Sequence, residues 1–270
     1  MTDWDAGSYE ITATQLAPAS AHAVDAARIT PGERVLDLAC GTGNAALLAA
    51  MRGAQVTGLD PAERLLEVAA GRARSAGLEI SWTPGTATEL PFPDGAFDAV
   101  LSVFGVIFAV PAEDAVAELV RVTADDGRIV LTSWTDSGAI SAGSRVLRDA
   151  VAATLAAVPV TEPASGGAAT AGPAPRDWGD PAHVAELFAP YGLVPHVEPI
   201  PHAFEAASPE TFADEWLGHH PMWLAARPLL GDDAYAALRE PLVAALRDGN
   251  EDTAAFRATS TALLIRIERS

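Results

Sequence analysis

The chain has 270 residues, of which 49% are hydrophobic and 20% are charged. This is enough apolar side chain for one sizeable core with a smaller attached part, and it argues against whole-chain disorder. The 17 basic and 36 acidic residues give a formal charge of −19, which argues against a nucleic-acid partner, because duplex or tRNA binding favours a basic surface.

The first half of the chain alternates between short apolar runs and segments with helical spacing. The runs that predict strands are 34–38, 55–59, 78–83, 97–103 and 128–134, and the segments that predict helices are 10–28, 45–52, 62–75 and 112–123. Strands that alternate with helices at this spacing indicate parallel βαβ units. Helices on both faces of such a sheet explain why the strands are continuous apolar runs.

The pattern is less regular beyond residue 135. Two further strands are predicted at 193–197 and 262–267, a helix at 182–188, and a helical insertion at about 208–249. Residues 159–176 are rich in Pro, Gly, Ala and Ser, which favours a loop or lid over a helix. We therefore predict an α/β protein with a Rossmann-like, doubly wound, mostly parallel seven-stranded sheet and helical cap elements at both termini.

Four segments follow from this prediction. Their expected bounds are 1–32 for an N-terminal helical cap, 33–135 for a ligand-binding Rossmann-like core, 136–179 for a flexible lid or linker, and 180–270 for the remaining core strands with the helical substrate-cap insertion. The insertion is expected to cover the strand ends and to select the substrate.

The loop after the first predicted strand, residues 37–43, has the features of an anion-binding site. Gly41 and Gly43 let the backbone turn sharply and approach a ligand, and the next helix begins with unpaired N–H groups. The spacing also fits a dinucleotide fingerprint, with Asp60 as the ribose-binding acid, so a nicotinamide-dependent oxidoreductase is one alternative. Asp37 favours instead a ligand with an ammonium group beside its carboxylate, unless this side chain only caps the loop or the next helix.

Five short motifs lie in order between residues 33 and 134. They are VLDLACGTG (35–43), VTGLD (56–60), LPFPDGAFDAV (90–100), ELVRV (118–122) and GRIV (127–130). Together they closely resemble class I S-adenosylmethionine-dependent methyltransferases, in particular the ubiquinone and menaquinone branch. The resemblance implies a methyltransferase fold whose core, residues 33–135, binds S-adenosylmethionine.

The resemblance also implies roles for individual residues. Those expected at the methionine end of the cofactor are Asp37, Ala39, Gly41 and Gly43, with Ser102 at its border. Those expected around the rest of the cofactor are Asp60 at the ribose, Pro61 and Ala87 near the adenine, and Tyr9 folded over it, unless Tyr9 is simply a buried tyrosine. The chain departs from the family at Thr86, where many relatives carry an acid; a hydroxyl accepts a hydrogen bond from the adenine amino group without charge assistance.

Methyl transfer depends mainly on orienting the acceptor, so a general base is optional. The candidate bases are His219 and His220, which lie near two tryptophans and would suit a phenol-like acceptor; the alternative is that they lie at a helix end or in the core of the cap. The six histidines lack the spacing of a zinc site, and the single cysteine, Cys40, belongs to the glycine loop. We therefore predict no metal site.

Three functions are compatible with these residues. The first is an S-adenosylmethionine-dependent methyltransferase that acts on a small molecule of specialised metabolism. The second is a methyltransferase-fold protein that binds the cofactor and catalyses a reaction other than methylation, and the third is an NAD(P)-dependent oxidoreductase. One cysteine, an acidic N-terminus and no long apolar stretch predict a cytoplasmic protein without a membrane anchor, whereas the oligomeric state stays open.

Overall fold

The structure, a computed structural model, describes residues 3–157 and 177–269, without the side chain of Asp177. Seven strands form one sheet in the spatial order β3-β2-β1-β4-β5-β7-β6. Their bounds are β1 Arg34–Leu38, β2 Gln55–Asp60, β3 Ile80–Pro84, β4 Phe97–Val103, β5 Thr123–Trp134, β6 His196–Ala206 and β7 Phe256–Glu268. The pairs β1–β2, β1–β4, β2–β3 and β4–β5 are parallel and β5–β7 is antiparallel, which confirms the predicted mostly parallel sheet.

One described helix precedes β1, and the other described helices lie between strands that follow one another in the sequence. Their bounds are α1 Tyr9–Ala26, α2 Asn44–Met51, α3 Glu63–Ser75, α4 Ala112–Val122, α5 Gly138–Ala157, α6 Pro181–Phe188, α7 Pro209–His219, α8 Pro221–Leu230, α9 Asp232–Ala237 and α10 Arg239–Asp248. Short 3-10 turns occur at Val106–Phe108, Asp177–Gly179 and Ala189–Tyr191. Among these described helices, none combines the length and the apolar character that crossing a membrane requires.

The centre of the sheet is formed by the neighbouring strands β1 and β4. It is apolar because α1 and α2 help to cover it. Val35, Ala99 and Leu101 are fully buried in a cluster that also contains Ala46 of α2 and Val24 of α1. The chain leaves β1 toward β2 on one side, and the later strand β4 lies on the other. This reversal is a topological switch point, where parallel α/β sheets bind ligands at the carboxyl ends of their strands.

The carboxyl-terminal strands are longer than predicted. The strand expected at 193–197 runs over His196–Ala206, and the one expected at 262–267 runs over Phe256–Glu268. Pro199 and Pro201 argue against a strand in the sequence, because proline cannot donate to a ladder. They are tolerated because β6 is the last strand in the sheet order, where proline is normally found.

Residues 138–157 correct the expectation of a flexible lid or linker over 136–179, since they form the 20-residue helix α5. Its buried residues Ile140, Leu147 and Val151 recur at helical spacing, and the helix packs against α8 and α10. Two glycines, Gly138 and Gly143, and two serines, Ser141 and Ser144, interrupt that apolar pattern, so the composition of the segment alone favours irregular structure. The predicted lid at 159–176 lies outside the described residues.

The chain divides into two compact units, which we describe separately. The described residues of the first are 3–12, 136–157 and 201–261; those of the second are 13–135, 177–200 and 262–269. The second unit contains all of β1–β5 and the glycine loop. The first is built mainly from α5 and α7–α10, around an aromatic cluster that includes Phe212 and Trp216. The expected four-segment organisation, with a cap over the strand ends, stays a prediction.

Candidate functional site

The loop between β1 and α2 turns sharply enough to require special backbone conformations. Ala39, Gly41 and Gly43 all have positive φ angles, of 52°, 52° and 80°. At Gly43 a side chain is also excluded by space, because a Cβ there would lie 2.8 Å from Cη2 of Trp82 and 3.2 Å from Cβ of Ala69. The loop is therefore held in one shape by the packing behind it.

Two buried carboxylates lie at the carboxyl ends of the adjacent strands β1 and β2. Oδ2 of Asp37 accepts a hydrogen bond of 2.8 Å from the backbone N–H of Ala46, in the first turn of α2. Asp60 accepts bonds of 2.8 Å from the N–H of Gly41 and 2.9 Å from that of Ala62. A carboxylate offers about four acceptor positions, so a side chain of this type can accept from backbone N–H groups and from a ribose hydroxyl together.

The Asp37 carboxyl has an unusual proton affinity. Burial raises its pKa from 3.8 to about 7; the hydrogen bond from Ala46 opposes this shift, and the nearby charge of Asp60 adds to it. A neighbouring cation would favour the ionised form. The capping bond from α2 to Asp37, the alternative to a ligand contact, is thus present.

The end of β4 is tied to the end of β1 by Ser102. Its buried hydroxyl donates to the carbonyl of Leu38 over 2.8 Å and accepts from the N–H of Val106 over 2.8 Å. Phe104, two residues later, has a φ of 56°, which is strained for an aromatic residue. Its ring stacks on that of Trp134, with centroids 3.9 Å apart and an interplanar angle of 2°.

Several residues that shape the loop were not singled out from the sequence. Trp82 of β3 lies behind Gly43 and Gly58, and Arg72 of α3 donates from one nitrogen to the carbonyl and hydroxyl of Thr42 and to Oδ1 of Asn44. Gly105 lies against Ala39. Only the glycine in the middle of β2, Gly58, gave a sequence signal, because a glycine inside a strand often marks close packing.

The residues expected near the adenine lie at the ends of β2 and β3. Pro61 and Thr86 are exposed and Ala87 is half-buried. The hydroxyl of Thr86 lies 3.5 Å from that of Thr88, and Thr86 forms an isolated bridge with Glu89. These positions agree with a surface edge of a ligand site, and their role in binding stays a prediction.

His219 and His220 lie where α7 meets α8, in the first unit. Nδ1 of His220 accepts a 3.3 Å hydrogen bond from the N–H of Met222 and so caps α8, which places the proton of a neutral ring on Nε2. Burial lowers the His220 pKa to about 4. Both features favour a structural cap over a general base, whereas His219 is exposed.

Tyr9 also belongs to the first unit, as the first residue of α1. The ring of Tyr9 contacts that of Trp4 edge-on, with centroids 5.7 Å apart. The N–H of the preceding residue, Ser8, donates a 3.0 Å hydrogen bond to the carbonyl of His219. The N-terminal residues are thus fastened to the α7–α8 corner. A role of Tyr9 at the cofactor stays a prediction. In the part of the chain that the structure describes, no three His, Cys, Asp or Glu side chains form a group able to hold a metal ion.

Comparison with known proteins identifies the segment that carries this loop. A family described as "Methyltransferase domain" matches residues 35–127. A demethylmenaquinone methyltransferase of Thermus thermophilus is 46% identical over 114 residues, which is 42% of this chain and 52% of that protein. An uncharacterized protein of Mycobacterium bovis is 42% identical over 136 residues, half of each chain. The chain thus spans about half the length of the curated relatives that it matches.

Solved structures share the fold over more of the chain. The YcgJ protein of Bacillus subtilis aligns with a TM-score of 0.62 over 93% of this chain and 98% of its own, at 20% identity. The [4+2]-cyclase SpnF gives 0.53 over 92% and 80%, at 20% identity, and a geranyl diphosphate methyltransferase in complex with SAM gives 0.54 over 94% and 85%, at 19% identity. At these identities the likeness shows the fold alone.

Proposed function

We propose that this protein, whose residues 35–127 form a methyltransferase domain of the class I type, transfers a methyl group from S-adenosylmethionine to a small-molecule acceptor. The observation that carries the proposal is the pair of buried carboxylates, Asp37 and Asp60, that flanks the glycine loop at the ends of adjacent strands. An ammonium and two ribose hydroxyls are the groups of this cofactor that such a pair would bind.

The residues present fit this cofactor. Asp37 is buried with a raised pKa, so a positively charged partner would favour its ionised form. The N-terminus of α2 supplies partial positive charge for a carboxylate. Asp60 lies 19 residues after Gly41, and its bond to the Gly41 N–H links the ribose side of the site to the methionine side.

When bound, the cofactor supplies an already activated methyl group on a sulfonium. The chain's own residues then have to orient the acceptor and exclude water, and orientation alone can contribute about 7–11 kcal/mol in the best cases. The buried end of β4, fixed by Ser102, lies beside the loop that would hold the methionine end. The proposal requires no general base, in agreement with the capping role of His220.

Calorimetric titration tests the proposed cofactor. The wild-type protein is expected to bind S-adenosylmethionine and S-adenosylhomocysteine and not NADH. Asp60→Asn should weaken binding about tenfold or more, because it removes charge-assisted hydrogen bonds worth roughly 1.5–3 kcal/mol. Asp125→Asn is the control, since Asp125 is fully exposed in β5. Binding of NADH without the adenosyl ligands would favour the oxidoreductase alternative.

A second function has support from one neighbour. SpnF, which shares this fold, is described as a [4+2]-cyclase, so the fold accommodates a reaction other than methylation. An assay with labelled S-adenosylmethionine and panels of phenols, amines, hydroxy acids and activated carbon acids distinguishes the two. Cofactor binding together with a labelled product supports the methyltransferase, whereas binding without label transfer to any acceptor favours the second function.

A further inference from the structure

Gly105 follows β4 and makes close contact with the glycine loop. A Cβ at this position would lie 2.5 Å from Cβ of Ala39 and 2.9 Å from the Ala39 carbonyl oxygen. The φ of Gly105 is −100°, which any residue adopts, so the backbone conformation does not require glycine here. The requirement comes from the contact with Ala39.

Gly105 is held against Ala39 from both sides along the chain. On one side, Phe104 has a strained φ of 56°, its N–H donates to the hydroxyl of Thr132 over 3.0 Å, and its ring stacks on Trp134. On the other side, the N–H of Val106 donates to the Ser102 hydroxyl over 2.8 Å. Strain of this kind persists only where surrounding contacts over-determine the conformation.

Ala39 has little freedom to move away. Its own φ of 52° is unusual for a residue with a side chain, and the next residue, Cys40, donates its N–H to the carbonyl of Leu59 over 3.0 Å. Gly41 then donates to Asp60. A displacement of Ala39 would therefore move the backbone that is proposed to bind the cofactor.

We propose that Gly105 is a positioning residue for the glycine loop. Its contact with Ala39 holds the loop backbone in the conformation that binds S-adenosylmethionine, and Phe104 and Thr132 hold Gly105 in place. This inference rests on the proposed function. The end of β5, two strands away from the glycine loop, thereby influences cofactor affinity without touching the cofactor.

The test compares two substitutions that create similar overlaps at opposite ends of the strands. Gly105→Ala should weaken S-adenosylmethionine binding about tenfold or more in a calorimetric titration. Gly127→Ala is the matched control, because a Cβ there would lie 2.8 Å from Cγ2 of Thr123 and 2.9 Å from the carbonyl of Ala124, in β5 near its amino end. The control should lower the melting temperature similarly and keep the affinity within about twofold of wild type.

Rescue separates positioning from general damage. Ala39→Gly removes the closer overlap, with the Ala39 Cβ, and leaves the one with the Ala39 carbonyl oxygen. Gly105→Ala should therefore weaken binding less in the Ala39→Gly background than in the wild type. If Gly105→Ala does not fold, Thr132→Val provides the test. This substitution keeps the side-chain shape and removes only the hydroxyl that accepts the hydrogen bond from the Phe104 N–H. It should weaken binding by about threefold to tenfold.

Two results overturn the inference while leaving the cofactor assignment intact. The first is wild-type affinity for S-adenosylmethionine in Gly105→Ala, or in Thr132→Val if Gly105→Ala does not fold. The second is a loss of affinity in the Gly127→Ala control that equals the loss in Gly105→Ala. If the wild-type protein itself does not bind S-adenosylmethionine, the proposed function and this inference both fail.

Discussion

At the scale of single residues, Asp37 both stabilises the start of α2 and, in the proposed function, pairs with the ammonium group of the cofactor. Its hydrogen bond to Ala46 caps α2, while burial raises its pKa to about 7. For a carboxyl whose pKa is raised in the folded state, the native protein binds a proton that the unfolded chain has lost. The contribution to stability is therefore present below about pH 4 and is lost as pH rises through about 7.

The affinity for S-adenosylmethionine is expected to depend on the same proton. The cofactor's ammonium group pairs only with ionised Asp37. For a pKa near 7, affinity should therefore rise about fivefold between pH 6 and pH 7, a range in which the ammonium group itself keeps its charge. Asp37→Asn should bind more weakly and with a flat profile over this range. Titration calorimetry at several pH values measures both. An unchanged pH profile in the variant would contradict the assignment of Asp37 to the ammonium group.

At the scale of elements, the strands whose bounds were predicted most accurately are parallel strands buried on both faces of the sheet. Residues 34–38 and 97–103 match β1 and β4, because a parallel strand buried on both faces requires a continuous apolar run. The glycine loop was equally readable, since its conformation depends on residues close together in sequence. The contact between Gly105 and Ala39 was not, because it joins residues 66 positions apart and leaves no local pattern.

The helix α5 was missed because glycine and serine lower local helix propensity, and its stability comes from packing instead. Leu147 is 8% exposed, so Leu147→Ala should lower the free energy of unfolding by about 2–4 kcal/mol. Leu155, on the same helix, is 46% exposed, and its substitution by alanine should cost less than about 1 kcal/mol. Urea unfolding followed by circular dichroism measures both values. Equal, small effects would mean that residues 138–157 behave as a linker after all.

Across the whole molecule, the candidate residues at the glycine loop lie in a different unit from the candidate bases and from Tyr9. The glycine loop, Asp37 and Asp60 belong to the unit that contains β1–β5, whereas His219, His220 and Tyr9 belong to the other. Many proteins bind the same cofactor, so the residues that bind it recur at recognisable spacings in their sequences. Acceptor choice is particular to each protein and leaves no such spacing, and aromatic side chains such as Trp216 and Trp223, whose rings are in contact, form a core equally well. The acceptor was for that reason not predictable.

This division makes a prediction about where the cofactor stabilises the molecule. A ligand that binds only the folded state raises the free energy of unfolding by about 2.7 kcal/mol at 100 times its Kd. With S-adenosylmethionine, protection against amide hydrogen exchange should increase by that amount in β1, β2 and β4. We expect the most protected amides of the unit in these strands, because they contain fully buried residues such as Leu36, Leu59 and Leu101. NADH serves as a control and should give no increase. S-adenosylmethionine added to Asp60→Asn at the same concentration should give at most about 1.4 kcal/mol, because a tenfold weaker Kd leaves the ligand at about 10 times Kd. An increase confined to residues 201–261 would place the ligand in the other unit and contradict the site at the glycine loop.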